Sequence, residues 1–184
     1  HRGRPRGPPP ASGGPHRGAG PPPPALTTGC GAADNVEELT FALDGLAASA
    51  YGTHRLEGAS TTASEATAPE PRLLRASLSA SPAPALRTEA LRGQTARSLP
   101  QTLLAGLGRA VADEPVTGRG TVDVLRYGHV LGPHGLVGVR GAGQAYDGRY
   151  CVAAVTHDLT RDSYKQHFTL VRDGLGADIQ VVTA

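Results

Sequence analysis

The feature that most constrains the fold of this chain lies in residues 148–176, where two runs of β-favouring residues flank a polar break at residues 160–163. In the second run, four residues alternate strictly with four others: Tyr164, Gln166, Phe168 and Leu170 against Lys165, His167, Thr169 and Val171. In the first run, apolar residues stand at both odd and even positions between Tyr150 and His157. Alternation with a period of two predicts strands, and a short polar break predicts a hairpin. In such a hairpin we expect His157 and His167 to face each other.

The rest of the chain is poorer in core-forming residues. Only 39% of the residues are apolar and 4% aromatic, so we expect a compact part and a loose part. Residues 1–33 are rich in Pro and Gly, which predicts a disordered tail. Residues 1–25 carry four Arg without acidic residues, Lys or aromatic rings. This pattern favours a solvated linker over a nucleic-acid-binding segment.

Residues 34–95 are predicted to form a partial β region with a mobile loop. Leu39, Phe41 and Leu43 alternate as in a strand, but Leu39 and Leu43 also fit a helical spacing with Val36 and Leu46. Periodicity alone leaves both structures open. The polar residues 52–72 predict the mobile loop. Residues 73–80 predict a short strand that ends before Pro82 and Pro84.

Residues 96–184 are predicted to hold one amphipathic helix followed by strands. The helix is expected to begin near Pro100, with Ser98 as its cap, and to end before Pro115. Its apolar stripe would comprise Leu103, Leu104, Leu107, Ala110 and Val111. Strands are then expected around residues 122–125 and 135–139. The predicted fold class is mainly β (α+β), with a small β-barrel or sandwich after the helix.

No pattern of residues in the chain predicts catalysis. His157 and Asp158 are neighbours on a predicted strand, so their side chains point to opposite faces and do not form a Ser-His-Asp arrangement. Two histidines on one hairpin fall short of the three or four ligands of a metal site. Cys30 and Cys151 make no disulfide framework. We therefore expect no enzyme, no cofactor and no metal. No apolar run approaches the ~20 residues that would predict a membrane span.

Four motifs, in order along the chain, resemble the C-terminal part of late control gene D-type phage proteins. These are the VgrG-like baseplate hub proteins of contractile phage tails and of extracellular contractile injection systems. The motifs are LRYGHVL (125–131), GVRGAG (138–143), YDGRYCVAAVTH (146–157) and SYKQHFTLVRDGLG (163–176). One departure is Cys151, which stands where the family leads us to expect an aromatic residue.

The resemblance implies a structural role. Hub proteins of this kind form a trimeric ring of β-barrel domains that joins the inner tube to the spike, and they assemble in the cytoplasm before becoming part of the particle. It also implies that LTFALDGL (39–46) contains a strand rather than a helix. Candidate assembly contacts are the charged residues expected to be exposed and the ring-bearing residues of the hairpin: Arg126, Arg140, Lys165, Arg172, Tyr150, His157, Tyr164 and Phe168.

A different class of function remains open from the residues alone. A small β module on a flexible stalk is also the architecture of a ligand- or glycan-binding domain. The low aromatic content disfavours a sugar-stacking platform. Self-association into trimers would favour the hub, whereas a monomer that binds glycans would favour the module.

Overall fold

The computed structural model describes residues 23–56, 63–68, 76–91 and 99–177. Most of the predicted tail and the predicted cap Ser98 lie outside these ranges. The elements follow in the order β1 (Leu26–Thr27), a 3-10 turn (Gly31–Ala33), β2 (Glu38–Leu43), β3 (Ser49–Leu56), β4 (Ala63–Thr67), β5 (Ser79–Pro82), β6 (Arg87–Ala90), α1 (Leu99–Ala112), β7 (Val116–Asp123), the single turn α2 (Val124–Tyr127), β8 (Leu136–Arg140), β9 (Gly148–Leu159), β10 (Tyr164–Arg172) and β11 (Gly174–Ala177). The prediction of a mainly β fold with one amphipathic helix is confirmed.

Six strands form the central sheet, in the order β1-β8-β9-β10-β7-β2. The sheet curls into a half-barrel. Adjacent strands within the sheet are antiparallel except for β1 and β8, which are parallel. Two smaller sheets accompany it, one in the order β4-β3-β6 and one formed by β11 and β5. LTFALDGL does contain a strand, β2, as the family resemblance implies.

Strands β9 and β10 form the predicted hairpin, and residues 160–163 connect them. The register places His157 opposite Gln166, and His167 opposite Thr156. The expectation that the two histidines face each other is therefore wrong, because residues one position out of register point to opposite faces of a sheet.

A β-bulge in β9 explains why its apolar residues occupy both odd and even positions. The register shifts between Thr169 and Leu170 of β10, which pair with Ala154 and Val152. Ala153 is thus the extra residue, and the parity of β9 changes there. Tyr150 and Val152 face the core before the bulge, and Val155 packs against the core after it.

The core lies on the concave side of the curled sheet. Strand β2 contributes the partly buried Leu39 and Phe41. The buried residues come from the other five strands and from the segments next to β2, α2 and β8: Leu26, Val36, Val116, Val122, Tyr127, Leu131, Val137, Val139, Tyr150, Val152, Phe168 and Leu170. The Phe41 ring stacks on Tyr146 with centroids 5.0 Å apart and lies 5.3 Å from the Tyr150 ring. Aromatic rings thus fill much of this core despite their scarcity in the sequence.

Helix α1 packs against β3, outside the central sheet. Leu107 is buried, whereas Leu104 is 63% exposed, so the predicted stripe is wrong at Leu104. The buried face also includes Thr102 and Gly106. Gly106 allows close packing, because a Cβ there would lie 3.0 Å from Leu91 and 3.2 Å from the Tyr51 Cβ.

Three segments differ from the sequence predictions. Residues 52–72, predicted as a mobile loop, contain most of β3 and all of β4, which pair antiparallel. Residues 26–33 hold β1 and a 3-10 turn rather than disordered tail. Residues 124–125, predicted as strand, belong to α2, because the Asp123 carboxylate accepts hydrogen bonds from the N–H groups of Leu125 (2.8 Å) and Arg126 (3.3 Å) and so starts a helical turn.

We expect the fold to lose stability in strong alkali because two of its tyrosines are buried. Burial raises the pKa of Tyr127 and of Tyr150 from 10.0 to about 12. The unfolded chain then releases these protons near pH 10 while the folded chain keeps them, so their contribution is complete below pH 10 and is lost between pH 10 and 12. Urea midpoints measured across this range should fall steeply. The urea midpoint of Tyr127→Phe should fall less steeply with pH than that of the unmodified protein. An equal slope would contradict the raised pKa of Tyr127 as a cause of the loss.

Candidate assembly surface

The convex side of the central sheet presents a polar surface that we call the outer face: Thr40, Arg119, Thr121, Thr156, His167 and Thr169. The register places Thr40 and Thr169 on either side of Arg119. Thr121 and Thr156 lie on either side of His167. The Thr121 hydroxyl and the His167 Nδ1 are 2.9 Å apart. Glu38, which lies opposite Thr121, lines the same surface. The surface is therefore made of short hydroxyl side chains around one guanidinium, one imidazole and one carboxylate.

Two glycines of β7 allow the sheet to pack tightly on its concave side. A Cβ on Gly118 would lie 2.6 Å from the Phe41 Cε1, and a Cβ on Gly120 would lie 2.7 Å from the Phe168 Cζ. The rings of Phe41 and Phe168 therefore occupy the space that side chains of β7 would otherwise fill. This packing holds β2 and β10 against β7, so the outer face has a defined shape.

Three of the predicted assembly contacts lie in the core instead of on the surface. Tyr150 and Arg172 are 0% exposed, and Phe168 is 3% exposed. The expectation that Arg172 is an exposed charge is wrong. The reason is the continuation of the chain after β10, because the turn into β11 folds back and covers the Arg172 side chain with backbone.

Arg172 is held by carbonyl oxygens rather than by a carboxylate. Its Nε donates to Gly174 O at 2.8 Å, one terminal nitrogen donates to Asp147 O at 2.9 Å and the other to Ala145 O at 2.8 Å. The guanidinium carbon lies 4.4 Å from the centre of the Tyr150 ring. Burial lowers the pKa of Arg172 from its ordinary value. The side chain ties β10, β11 and the loop before β9 together at one end of the half-barrel.

The other five candidates are exposed or half-buried. Arg126 and Arg140 are exposed, and Arg126 donates to the Asp34 carbonyl. The Lys165 Nζ lies 2.8 Å from Glu37, and this hydrogen bond raises the pKa of Lys165. The structure brings together His157 and Tyr164, whose Nδ1 and Oη are 2.7 Å apart. Of these five, Arg126 and Arg140 are the exposed arginines, which we call the rim charges, and the Arg126 guanidinium is bonded to the Asp34 carbonyl.

A buried amide fastens the segment after α2 to the hairpin. Gln166 is fully buried, and its amide both accepts from the Leu131 N–H (2.9 Å) and donates to the Leu131 carbonyl (3.0 Å). These two bonds fix which atom of the amide is the donor. The Gln166 Nε2 therefore also faces His157 Nδ1, at 3.3 Å, as a donor. Gln166 was not a sequence candidate, although its position among the inward residues of β10 marks it as a buried polar group.

One edge of the central sheet, at β1, is capped by a side chain. At the β1 edge, the Thr27 N–H donates to the Asn35 Oδ1 (2.8 Å), and the Asn35 N–H donates to the Thr27 carbonyl (3.2 Å). The Asn35 Nδ2 donates to the Ala25 carbonyl at 2.8 Å. Asn35 thus takes the place of a further strand and caps this edge. No local sequence pattern marks Asn35, since the cap depends on a segment folding back onto β1.

Asn35→Leu is expected to destabilise the fold by about 2 kcal/mol, because Thr27 and Ala25 lose hydrogen bonds in a half-buried site. Asn35→Asp is a second variant that tests the amide donor alone. It keeps the acceptor for Thr27 but places a carboxylate against the Ala25 carbonyl, so it should also destabilise. Urea unfolding of the variants measures both effects. Unchanged midpoints would show that the cap contributes nothing.

The described ranges hold neither a candidate metal site nor a candidate membrane-spanning helix. No group of three or more His, Cys, Asp or Glu side chains in this part of the chain is placed to hold a metal ion. None of the helices described is long and apolar enough to cross a membrane. Cys30 is exposed and Cys151 half-buried, and the two form no disulfide with each other.

The curled sheet with its accompanying helix is a fold known from bacteriophage tail proteins. The chain is similar to the 43 kDa tail protein of prophage MuSo2 from Shewanella oneidensis, with a TM-score of 0.55 and 13% identity. It is also similar to the tail protein from Neisseria meningitidis MC58, with a TM-score of 0.53 and 16% identity. These matches cover 82% and 85% of this chain, which in turn spans 44% and 46% of those proteins.

The similarity is one of fold and not of close sequence. No protein-family model matches the chain, and no curated protein matches its sequence. The chain spans less than half the length of either tail protein. The sequence resemblance to the hub proteins therefore depends on the four motifs, and the shared fold is an independent observation.

Proposed function

We propose that this chain is a structural, non-catalytic part of a phage-tail-like particle, and that within the particle it belongs to the baseplate hub that joins the inner tube to the spike. The observation that carries the proposal is the fold shared with two phage tail proteins over more than four-fifths of the chain. The more specific assignment to the baseplate hub is supported by the four sequence motifs, which lie on β8, β9, β10 and around α2.

Such a subunit works through rigid geometry and contact area. The buried Arg172, the Gln166 amide and the packing of aromatic rings on β7 keep the half-barrel in one shape. The threonine-rich outer face and the rim charges Arg126 and Arg140 are then available for contacts. The proposed partners are two further copies in a homotrimeric ring, the tube protein and the spike protein of the same particle, with no nucleic acid and no membrane span. Assembly would take place in the cytoplasm.

The test is to place an epitope tag after the last residue of the native protein in its host and to follow the tag by sedimentation and immunogold microscopy. Label at the baseplate end of tailed particles is the expected result. An identically tagged cytosolic protein controls for trapping. Intact particles without label, with the tagged protein remaining soluble, would overturn the proposal. A glycan and ligand screen would then test the binding-module alternative.

A charge reversal should separate contact from folding. Arg140 is exposed, and its hydrogen bond with the Thr28 N–H uses its backbone carbonyl and not its side chain. Arg140→Glu is therefore expected to leave the unfolding midpoint unchanged while lowering the amount of tagged protein that sediments with particles. Arg140→Lys, which keeps the charge, should sediment normally. Equal sedimentation of all three proteins would exclude Arg140 from the contacts.

A further inference from the structure

The edge of the central sheet at β2 differs from the edge that Asn35 caps. Within the described ranges, β2 pairs with β7 and with no other strand. Strands at the edges of stable sheets commonly carry lysine, proline or a bulge that discourages pairing with other chains. Strand β2 reads ELTFAL, and its register with β7 is regular from end to end. Its single charge, Glu38, stands at its first residue.

The hydrogen bonds to β7 determine which backbone groups face outward. The Asp44 N–H donates to the Pro115 carbonyl at 2.8 Å. Bonded pairs alternate along an antiparallel ladder, so Ala42 and Thr40 also direct their backbone groups toward β7. The N–H and C=O groups of Leu39, Phe41 and Leu43 therefore point away from the sheet, along its free edge.

The side chains of the same three residues lie on the concave side and are incompletely covered. Leu39 and Phe41 are half-buried, and Leu43 is 45% exposed. Leu46, just beyond the strand, is 60% exposed. An added strand would supply hydrogen bonds to the edge and would also cover this apolar row, so the edge favours an occupant with apolar residues at alternate positions.

We propose that a second copy of this chain occupies the edge, with β2 pairing antiparallel to β2 of its partner about a two-fold axis at Phe41. In this register Phe41 lies opposite Phe41 of the partner subunit, and Leu39 lies opposite Leu43 of the partner subunit. The apolar row of one copy then covers the same row of the other. A two-fold contact requires a self-complementary patch, and this strand is one because its three apolar residues are spaced evenly about Phe41.

The register satisfies the outward backbone groups as well. Leu39, Phe41 and Leu43 each donate and accept one bond on both copies, which gives a continuous sheet across the two molecules. On the convex side Thr40 faces Ala42 of the partner subunit. Glu38 faces Asp44 of the partner subunit at both ends of the ladder, and this like-charge pair weakens the contact at low salt. The dimer is a property of the free protein and does not depend on the proposed role in a particle.

The experiment is light scattering coupled to size-exclusion chromatography over a concentration series. The expected mass of the unmodified protein is twice the chain mass of 18.8 kDa. Thr40→Lys/Ala42→Lys places lysines opposite each other across the proposed interface without changing the concave side, and this variant should elute as a monomer. The matched control, Thr117→Lys/Thr169→Lys, adds the same charges to the outer face on strands that have neighbours on both sides, and it should remain a dimer.

Amide exchange followed by NMR gives a residue-level readout. On dimerisation the amides of Leu39, Phe41 and Leu43 should exchange more slowly, while those of Thr40 and Ala42, already bonded to β7, should not change. Added salt should raise the dimer fraction. A monomeric unmodified protein, a trimeric mass, or a dimer that survives Thr40→Lys/Ala42→Lys would each overturn the proposal. A trimer would at the same time favour the hub ring, so failure here is distinct from failure of the proposed function.

Discussion

Arg172→Met is expected to lower the free energy of unfolding by about 3 kcal/mol, the largest effect that we anticipate from a single side chain. Methionine keeps much of the aliphatic stem but removes the side-chain donor from the buried Gly174 carbonyl and the half-buried Asp147 carbonyl, and leaves the Ala145 carbonyl with only the Gly176 N–H. It also removes the cation that lies over the Tyr150 ring. Urea unfolding monitored by circular dichroism measures the loss.

The charge-conserving variant distinguishes this account from a simple loss of charge. Arg172→Lys keeps a buried cation, but its three N–H donors start from one nitrogen and cannot reach carbonyls that Arg172 contacts from three separate nitrogens, so it should destabilise at least as much as methionine. Arg140→Met is the control, because Arg140 is an exposed arginine of the same sheet, and it should change stability by less than about 0.5 kcal/mol. Full stability of Arg172→Lys would contradict the geometric explanation.

Gly120→Ala is expected to cost about 2 kcal/mol, although it adds only a methyl group. The new Cβ would lie 2.7 Å from the Phe168 Cζ and would also clash with the Glu38 carbonyl. The Glu38 contact is with backbone, so the strain cannot be relieved by rotating a side chain, and β2 has to move away from β7. Thermal unfolding and the near-ultraviolet signal of the aromatic rings should both change.

The same substitution elsewhere should have the opposite sign. Gly108 lies on the exposed side of α1, and a Cβ there would meet no atom within 4 Å. Gly108→Ala should therefore stabilise the protein by about 0.5–1 kcal/mol through helix propensity alone. If both alanine variants shift stability in the same direction, the close packing at Gly120 is not the cause.

Much of the secondary structure could be predicted from the sequence because its signals are local. The alternation in residues 164–171, the polar break at 160–163 and the apolar spacing after Pro100 correctly indicated β10, the hairpin turn and α1. The prediction of a mobile loop for residues 52–72 was wrong for a physical reason. Its small polar residues carry no strong pattern, and β3 and β4 form through hydrogen bonds to each other, which local composition does not encode.

The candidate surface was harder to predict than the strands. The sequence placed three of the candidates on the correct strands but predicted them to be at the surface. All three are buried: Tyr150, Phe168 and Arg172. For Tyr150 the bulge at Ala153 explains why both faces of β9 appeared equally apolar. The resemblance to hub proteins indicated a strand at β2, which periodicity had left open.

Alternation, helical spacing and proline act within a few residues, so the sequence alone was enough to locate β10, the hairpin turn and α1. The burial of polar groups and the capping of one sheet edge depend instead on contacts between segments that are distant in the sequence. Arg172 is enclosed by carbonyls from residues 145, 147 and 174, and Asn35 caps residues 25 and 27. These contacts exist only once separate segments meet. The enclosure of a charge and the exposure of the β2 edge therefore follow from the folded arrangement and not from any local pattern.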